Sequence, residues 1–334
     1  MNSVLRRWQF TDFGLQHLRA DEAPVPSPGP GQVLVRTEAA SLNYRDLMLA
    51  RNAYRMTPTL PFVPASDLAG TVLAVGEGVA RWRGGERVIS TFVAGWLDGR
   101  APDEAFALGG PGPGALASHV LLDAQWLAAA PQTLDAAQAS TLPCAGLTAW
   151  FSMVEEGALR AGQTVLIHGT GGVALFGVQF ARLHGAQAIV VSGSADKRER
   201  ALAAGASHVL ARESDWPAEV RLLTGGRGAD QVLETVGGAN LGRSLGALGA
   251  RGRASVIGVI DGGEITASAF DLIRHRVTVQ GISVGHRRAL EDMVRAIDMN
   301  GLKPVIAAEY GFDDVPQAFA HLERGAFGKV VVRL

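Results

Sequence analysis

Cysteine is almost missing from this chain. Its 334 residues include one, Cys144, which excludes an intramolecular disulfide framework. Long apolar runs are missing too. A membrane-spanning helix needs about 18 uninterrupted apolar residues, and no window offers them. Charge of one sign is not in excess either: 31 Lys and Arg stand against 32 Asp and Glu, for a formal net charge of −1. There is therefore no basic field to draw in nucleic acid or an anionic membrane surface. The start, MNSVLRRWQF, lacks the apolar segment and small-residue cleavage site of a secretory signal. The expectation is a cytoplasmic protein that acts on a small molecule, with no nucleic-acid or membrane partner.

What is present reads as ordinary globular protein, 47% hydrophobic and 19% charged, long enough for two domains and a sizeable core. The first third is β-rich. GQVLVRTEAASL (31–42) and LAGTVLAVGEGV (68–79) are β-branched runs bounded by Gly and Pro. From about Thr164 apolar strands alternate with helical patterns. The strand candidates are 164–168, 188–192, 208–211, 231–236, 254–259 and 277–282. Such alternation implies βαβ units and a parallel sheet covered on both faces. Six strands make a doubly wound domain. Near the end, Leu290, Met293, Val294 and Ile297 share one face of a helix that Gly301 stops. FGKVVVRL reads as a last strand, and this segment is expected to return to the first domain.

Gly169, Gly171 and Ala174 follow the first of the alternating strands in the pattern G-x-G-x-x-A. The first glycine permits a tight turn. The second lets backbone approach a pyrophosphate, and the small third residue lets helix and strand pack closely. Thr170, Gly172 and Val173 complete the turn, and the helix starting there aims free N–H groups at phosphate. The turn is expected to bind a dinucleotide. At the end of the second strand an NAD enzyme usually carries an acid for the ribose hydroxyls. Here Ser192, Gly193 and Ser194 stand instead, followed by Lys197 and Arg198. Hydroxyls and a cation suit a 2′-phosphate, so the expected cofactor is NADPH (NADP+). In the alternative, Lys197 and Arg198 are a solvated helix turn and Asp196 is a late ribose ligand.

The stretches AASLNYRDLML, PFVPASDLAGTV, LPCAGLTAWFSMVEEGALRAGQTVLIHGTGGVALFGVQFA, VLETVGG, IGVIDG and LKPVI with FGKVVV together resemble the medium-chain dehydrogenase/reductase superfamily, in its zinc-independent quinone oxidoreductase-like branch. The resemblance implies an α/β protein: a GroES-like β-rich catalytic domain plus a doubly wound Rossmann domain with a six-stranded parallel sheet. The boundaries would be 1–126 for the catalytic domain, 127–284 for the Rossmann NAD(P)-binding domain and 285–334 for the return segment. It implies an active site in the cleft and a homodimer formed through the Rossmann domains. It places Thr148 near the nicotinamide, with Val236, Gly237, Gly258 and Val259 lining its pocket and Ser283 and Lys329 within reach of the cofactor.

The departures from zinc-dependent relatives carry equal weight. Their Cys-His pair reads Asn43-Tyr44 here, and their Gly-His-Glu reads Ala65-Ser66-Asp67. Cys144 alone matches a ligand position, and one thiolate with an Asp does not make a catalytic zinc site. Cys144 is expected as a buried small hydrophobe, and no metal is expected. By resemblance Asn43 and Tyr44 face the cleft at the vacated ligand position. The amide can donate to a substrate oxygen, and the phenol can donate a hydrogen bond or a proton. Alternatively Asn43 turns the chain and Tyr44 packs beneath it. Asp46 would hold local backbone or an arginine, Arg45 or Arg51, and His168 and His119 read as packing residues. The leading function is NADPH-dependent reduction of a quinone or a carbonyl-conjugated double bond. The alternatives are a zinc-independent alcohol dehydrogenase/aldehyde reductase and a non-catalytic NADPH-binding redox sensor.

Overall fold

Strand ends and a short antiparallel register position almost every residue discussed below. The computed structural model describes residues 4–54 and 56–334. They divide into two compact units, one formed by the chain up to Leu147 with Gly285–Leu334, the other by Thr148–Val284.

The first unit holds β1 (Val4–Phe10), β2 (Leu18–Pro24), β3 (Gln32–Leu42), β4 (Asp67–Val75), β5 (Arg87–Ser90), β6 (Val93–Ala94), β7 (Phe106–Ala107), β8 (His119–Asp123) and β9 (Leu127–Ala129). β3 is the spine. It is antiparallel to β4 and to β8, and its apolar residues Val33, Val35, Ala40 and Leu42 enter the core. A short helix, Tyr44–Ala50, follows β3 at once, with Asn43 as its extended N-cap residue. The segment 127–147 was expected with the Rossmann domain, yet it belongs to the first unit. The reason is hydrogen bonding: β9 completes the exposed side of β5, with Ile89 opposite Ala128.

The second unit is built on β10 (Thr164–His168), β11 (Gln187–Ser192), β12 (His208–Ala211), β13 (Ala229–Glu234), β14 (Leu248–Val256) and β15 (Thr278–Gly281). They form one parallel sheet in the order β12-β11-β10-β13-β14-β15, the doubly wound arrangement. All five residues of β10 are buried, as a strand covered on both faces requires. Trp216, Leu166, Ile189 and Val232 are among its core residues. β14 starts at Leu248, six residues before the apolar run at 254–259, because its ladder with β13 opens at Ala229–Leu248 and resumes after a bulge.

The return segment carries a helix, Arg287–Asn300, capped by Gly301, then β16 (Ile306–Tyr310) and β17 (Lys329–Arg333). Leu290, Met293, Val294 and Ile297 are its buried face, as the periodicity predicts. β17 lies antiparallel to β3 with Val330 opposite Leu42 and Val331 opposite Ser41. That register sets Lys329 beside Asn43, at the point where β3 gives way to the helix Tyr44–Ala50.

Candidate active site

In the second unit, loops at the carboxyl ends of the parallel strands converge, the usual ligand position of such sheets. Gly169 turns the chain at the end of β10 with φ +80°, a backbone conformation that favours glycine. Its N–H donates to Val191 O at 2.9 Å, which ties the turn to β11. The helix Gly172–Leu183 begins at Gly171 with no side-chain cap. Its first N–H groups and its positive dipole end are thus open to an anion. The space a Cβ on Gly171 would occupy is open to 4 Å. Thr170 is buried beside it, and Gly172 and Val173 are half-buried. This cradle fits a pyrophosphate.

A buried carboxylate, which sequence reasoning missed, orders the next loop. Glu234 ends β13 fully buried. One of its oxygens accepts from the N–H groups of Val236 (3.0 Å) and Gly237 (3.1 Å); the other accepts from Asn240 Nδ2 (2.9 Å) and Ser244 Oγ (2.6 Å). His168 is buried too. Its Nε2 lies 2.9 Å from Ser244 Oγ, and its ring meets Trp216 edge-on. Burial pushes the His168 imidazole below its usual range, against the pull of Glu234. Thr235 Oγ1 donates to His168 O at 2.6 Å, joining the ends of β13 and β10. Gly258 approaches so closely that a Cβ there would stand 1.7 Å from Thr235 O, so this contact admits only glycine. The structure thus brings Gly169, Val236 and Gly258 together. Val259 is 44% exposed, Ser283 is exposed after β15, and Thr148 is buried in a helical stretch.

At the end of β11, Ser192 is buried and Ser194 caps the helix Ala195–Ala203 by accepting from Lys197 N. Arg198 is not a free surface cation: its guanidinium donates to Ser192 O at 2.7 Å. Asp196 pairs with Arg200 at 3.6 Å. Two further residues face this corner. Glu213 Oε1 lies 3.3 Å from where a Cβ on Gly193 would stand, and Arg212 beside it pairs with Asp261 at 2.9 Å. Both follow β12 and were invisible in the local motif.

In the first unit, Asn43 is the hub of a buried polar cluster. Its Oδ1 accepts from the Lys329 ammonium at 2.6 Å, and the same ammonium donates to Leu42 O at 2.7 Å. Its Nδ2 lies 3.5 Å from Ser66 Oγ, which donates to Asp67 Oδ1 at 2.5 Å. The second Asp67 oxygen accepts from Cys144 N at 3.2 Å and is 3.8 Å from Lys329 Nζ. Burial pushes the Asp67 carboxyl above the usual carboxylate range, with Lys329 opposing. Tyr44 is 44% exposed and does not pack beneath Asn43. Arg45 spans two irregular segments. Its guanidinium donates to Leu108 O and Gly110 O and lies over the rings of Tyr54 and Phe92. Arg51 pairs with Glu323.

Residues 29–132 match the alcohol dehydrogenase GroES-like domain and residues 172–299 match the zinc-binding dehydrogenase domain. A zinc-type alcohol dehydrogenase-like protein of Schizosaccharomyces pombe is 34% identical over 333 residues, covering 96% of each chain. The chain belongs to the medium-chain dehydrogenase/reductase superfamily. It is also similar to the quinone oxidoreductase of Rattus norvegicus, 29% identical over 343 residues that cover 99% of this chain and 97% of the other. The crystal structure of a candidate alcohol dehydrogenase from Sinorhizobium meliloti 1021 superposes with a TM-score of 0.96 at 52% identity, covering all of both chains. The superfamily member described here is accordingly an oxidoreductase, of a family that binds a nicotinamide cofactor.

The name of one matched domain raises the question of zinc, and the side chains answer poorly to it. Among the described residues no group of three or more His, Cys, Asp or Glu can hold a metal. Burial, and then Asp67, push the Cys144 thiol up, and no His or second Cys stands beside it among the described residues to complete a zinc ligand set. Asn43 and Ser66 are neutral, and the Lys329 ammonium already stands among them. The residues present do not fit a catalytic zinc ion.

Asp46 yields a pH signature. It is fully buried, one oxygen accepts from Asn43 N at 2.7 Å, and the other has no hydrogen-bond partner among the described residues. Burial raises its pKa from 3.8 to about 6, against the opposing charge of Arg45. Between those values the folded chain holds a proton that the unfolded chain has lost. Stability therefore falls as pH rises from about 4 to about 6 and is level above, by about 3 kcal/mol for a shift of roughly two units. Urea denaturation of wild type and Asp46→Asn from pH 4 to 8 should show that difference narrowing in the wild type's disfavour with rising pH; parallel profiles would refute the assignment.

Proposed function

We propose that this oxidoreductase transfers hydride from NADPH to a quinone or a carbonyl-conjugated double bond without zinc. The observation that carries the reading is the Asn43 cluster, which offers a substrate oxygen an amide donor and a nearby fixed cation where zinc-type relatives use a metal. The likeness to a quinone oxidoreductase agrees with it. A bound nicotinamide would supply the hydride. The residues do the rest. The Gly169–Val173 turn holds phosphate, and Val236, Gly258, Val259 and Thr148 border the nicotinamide, with Ser283 within reach. Asn43 donates to the substrate oxygen as charge builds on it, and the exposed Tyr44 phenol is the nearby proton source. Lys329 was expected at the cofactor; two hydrogen bonds to Leu42 and Asn43 favour a role on the substrate side.

A second reading, zinc-independent alcohol dehydrogenase or aldehyde reductase, draws on the relatives named for alcohol dehydrogenase. The two separate on a substrate panel in the presence of a chelator. Quinone and enone reduction with negligible turnover of saturated aldehydes supports the first; the reverse supports the second. On the first reading, Asn43→Ala lowers enone turnover about 100- to 1000-fold, the scale for loss of one such donor. Quinones accept hydride readily and should lose less, and NADPH binding should persist in both cases. Equal losses on both substrates, or none, would count against it.

NADPH preference rests on Ser192, Ser194 and Lys197, with Arg198 and Arg212 adding positive charge at the same corner. Glu213 beside Gly193 opposes it and sets a limit on selectivity. One cation-to-phosphate contact is worth about 1.5–3 kcal/mol, roughly ten- to a hundredfold in affinity. Titration should find NADPH bound more tightly than NADH, with Lys197→Ala weakening NADPH by that factor and sparing NADH. Equal wild-type affinities would remove the assignment.

The proposed assembly is a cytoplasmic homodimer joined through the second unit. β15 is the edge of the parallel sheet, and Phe270 (85% exposed) and Ile273 (74%), on the helix Ala269–His275 just before it, present apolar surface. Such a patch beside an open strand edge is an association surface. Light scattering should return twice the 35.0 kDa chain mass, and Phe270→Glu with Ile273→Glu should return one chain mass; a monomeric wild type would exclude it.

A further inference from the structure

Lys329 is 286 residues from Asn43 in sequence, yet it is 3% exposed and its ammonium is 2.6 Å from Asn43 Oδ1. Chemistry fixes the amide's orientation. An ammonium only donates, so the atom facing it must be the carbonyl oxygen. Across the amide stand Ser66 Oγ, 3.5 Å from Nδ2, and the Asp67 carboxyl that Ser66 bonds. Asn43 therefore presents its oxygen to the cation and its nitrogen to the Ser66–Asp67 pair, in a ring that the 3.8 Å approach of Lys329 to Asp67 closes. One N–H of Nδ2 points toward Ser66; an amide carries two, and on the proposed reading the other is the donor for a substrate oxygen. A positive charge on Oδ1 also draws electron density from the nitrogen and strengthens that donor.

We propose that Lys329 is a positioning residue, which locks the Asn43 amide with Nδ2 as donor and supplies the fixed positive charge behind it. The proposal rests on the reductase reading for its catalytic half, and on geometry alone for its orienting half. It assigns Lys329 to the substrate side of the reaction.

Two variants and two readouts test it. Asn43→Asp keeps shape and the acceptor that faces Lys329 but loses the donor. It should fold with wild-type cofactor affinity and lose about 100- to 1000-fold in enone kcat. Lys329→Met keeps the apolar stem and removes the charge. It should lower enone kcat at least about tenfold more than quinone kcat, with NADPH affinity unchanged. In the double variant Lys329→Met/Asn43→Ala, turnover should be no lower than in Asn43→Ala alone, since the ammonium would act through an amide no longer there. A merely structural lysine would slow both substrates alike and add to the Asn43 loss. The second readout needs no turnover: with ¹⁵N-labelled asparagine, the Asn43 side-chain NH₂ resonances should move toward free-amide values in Lys329→Met. Unmoved resonances overturn the orienting role. Wild-type enone kcat in Asn43→Asp, or additive losses, overturn the catalytic role. A wild-type protein that reduces nothing on the panel overturns the reductase reading and the catalytic half with it, while the resonances still decide the orientation.

Discussion

Burying the Lys329 ammonium constrains everything around it in the first unit. Removing such an ion from water costs several kcal/mol unless its hydrogens find acceptors. Here the acceptors are Leu42 O and Asn43 Oδ1, with Asp67 3.8 Å away. The antiparallel register of β17 on β3 delivers the lysine to this spot. The demand then propagates outward. Asn43 holds the start of the helix Tyr44–Ala50 through Asp46, Ser66 and Ser41 engage Asp67, and Cys144 N closes the ring on the far side. Arg45, one residue past Tyr44, fastens the Leu108 and Gly110 backbone.

The second unit solves a parallel problem with the opposite charge. Glu234 gathers the N–H groups of Val236 and Gly237 and the side chains of Asn240 and Ser244. An anion so fully bonded is tolerated in the interior, and it fixes the loop that follows β13. The glycine turn after β10 is tied to that loop through Thr235. Two neighbouring strand ends are thus joined, which suits the proposed role of holding a long, flexible cofactor in one pose.

The legible parts of this molecule are those with local causes. The glycine turn announces itself because φ > 0 and close backbone approach leave few residue choices. β10 to β15 are legible as apolar runs between helical patterns, and the helix Arg287–Asn300 as a face of period 3.6. The cluster at Asn43 is only half legible. Its chain neighbours Tyr44, Arg45 and Asp46 mark the place, but Lys329 is 286 residues away, and only the strand register joins them. Glu234 reads as the polar end of a strand until the loop folds back over it. Arg212 and Glu213 reach the β11 corner from the end of an adjacent strand, which no pattern within 187–200 contains. The edge between the units at 127–147 escaped for the same reason: β9 is three residues long and is defined by its partner β5 rather than by its own sequence.

The positive charge of the Asn43 cluster is only partly compensated, with the Asp67 carboxyl 3.8 Å from the Lys329 ammonium. Burial raises the carboxyls of Asp67 and Asp46 above the usual carboxylate range and pushes the Cys144 thiol up. A zinc ion would bring two charges and bind the substrate oxygen directly, polarising even an unactivated carbonyl. An oriented amide with an ammonium behind it brings a dipole and one partly compensated charge. Such an arrangement lends less to a saturated aldehyde, whose oxygen must bear the whole developing charge. It is sufficient for an enone or a quinone, where conjugation spreads that charge before any donor acts. On the proposed reading, the electrostatics of the first unit suit acceptors already prepared for hydride, and this argues for a quinone or enone over a saturated aldehyde.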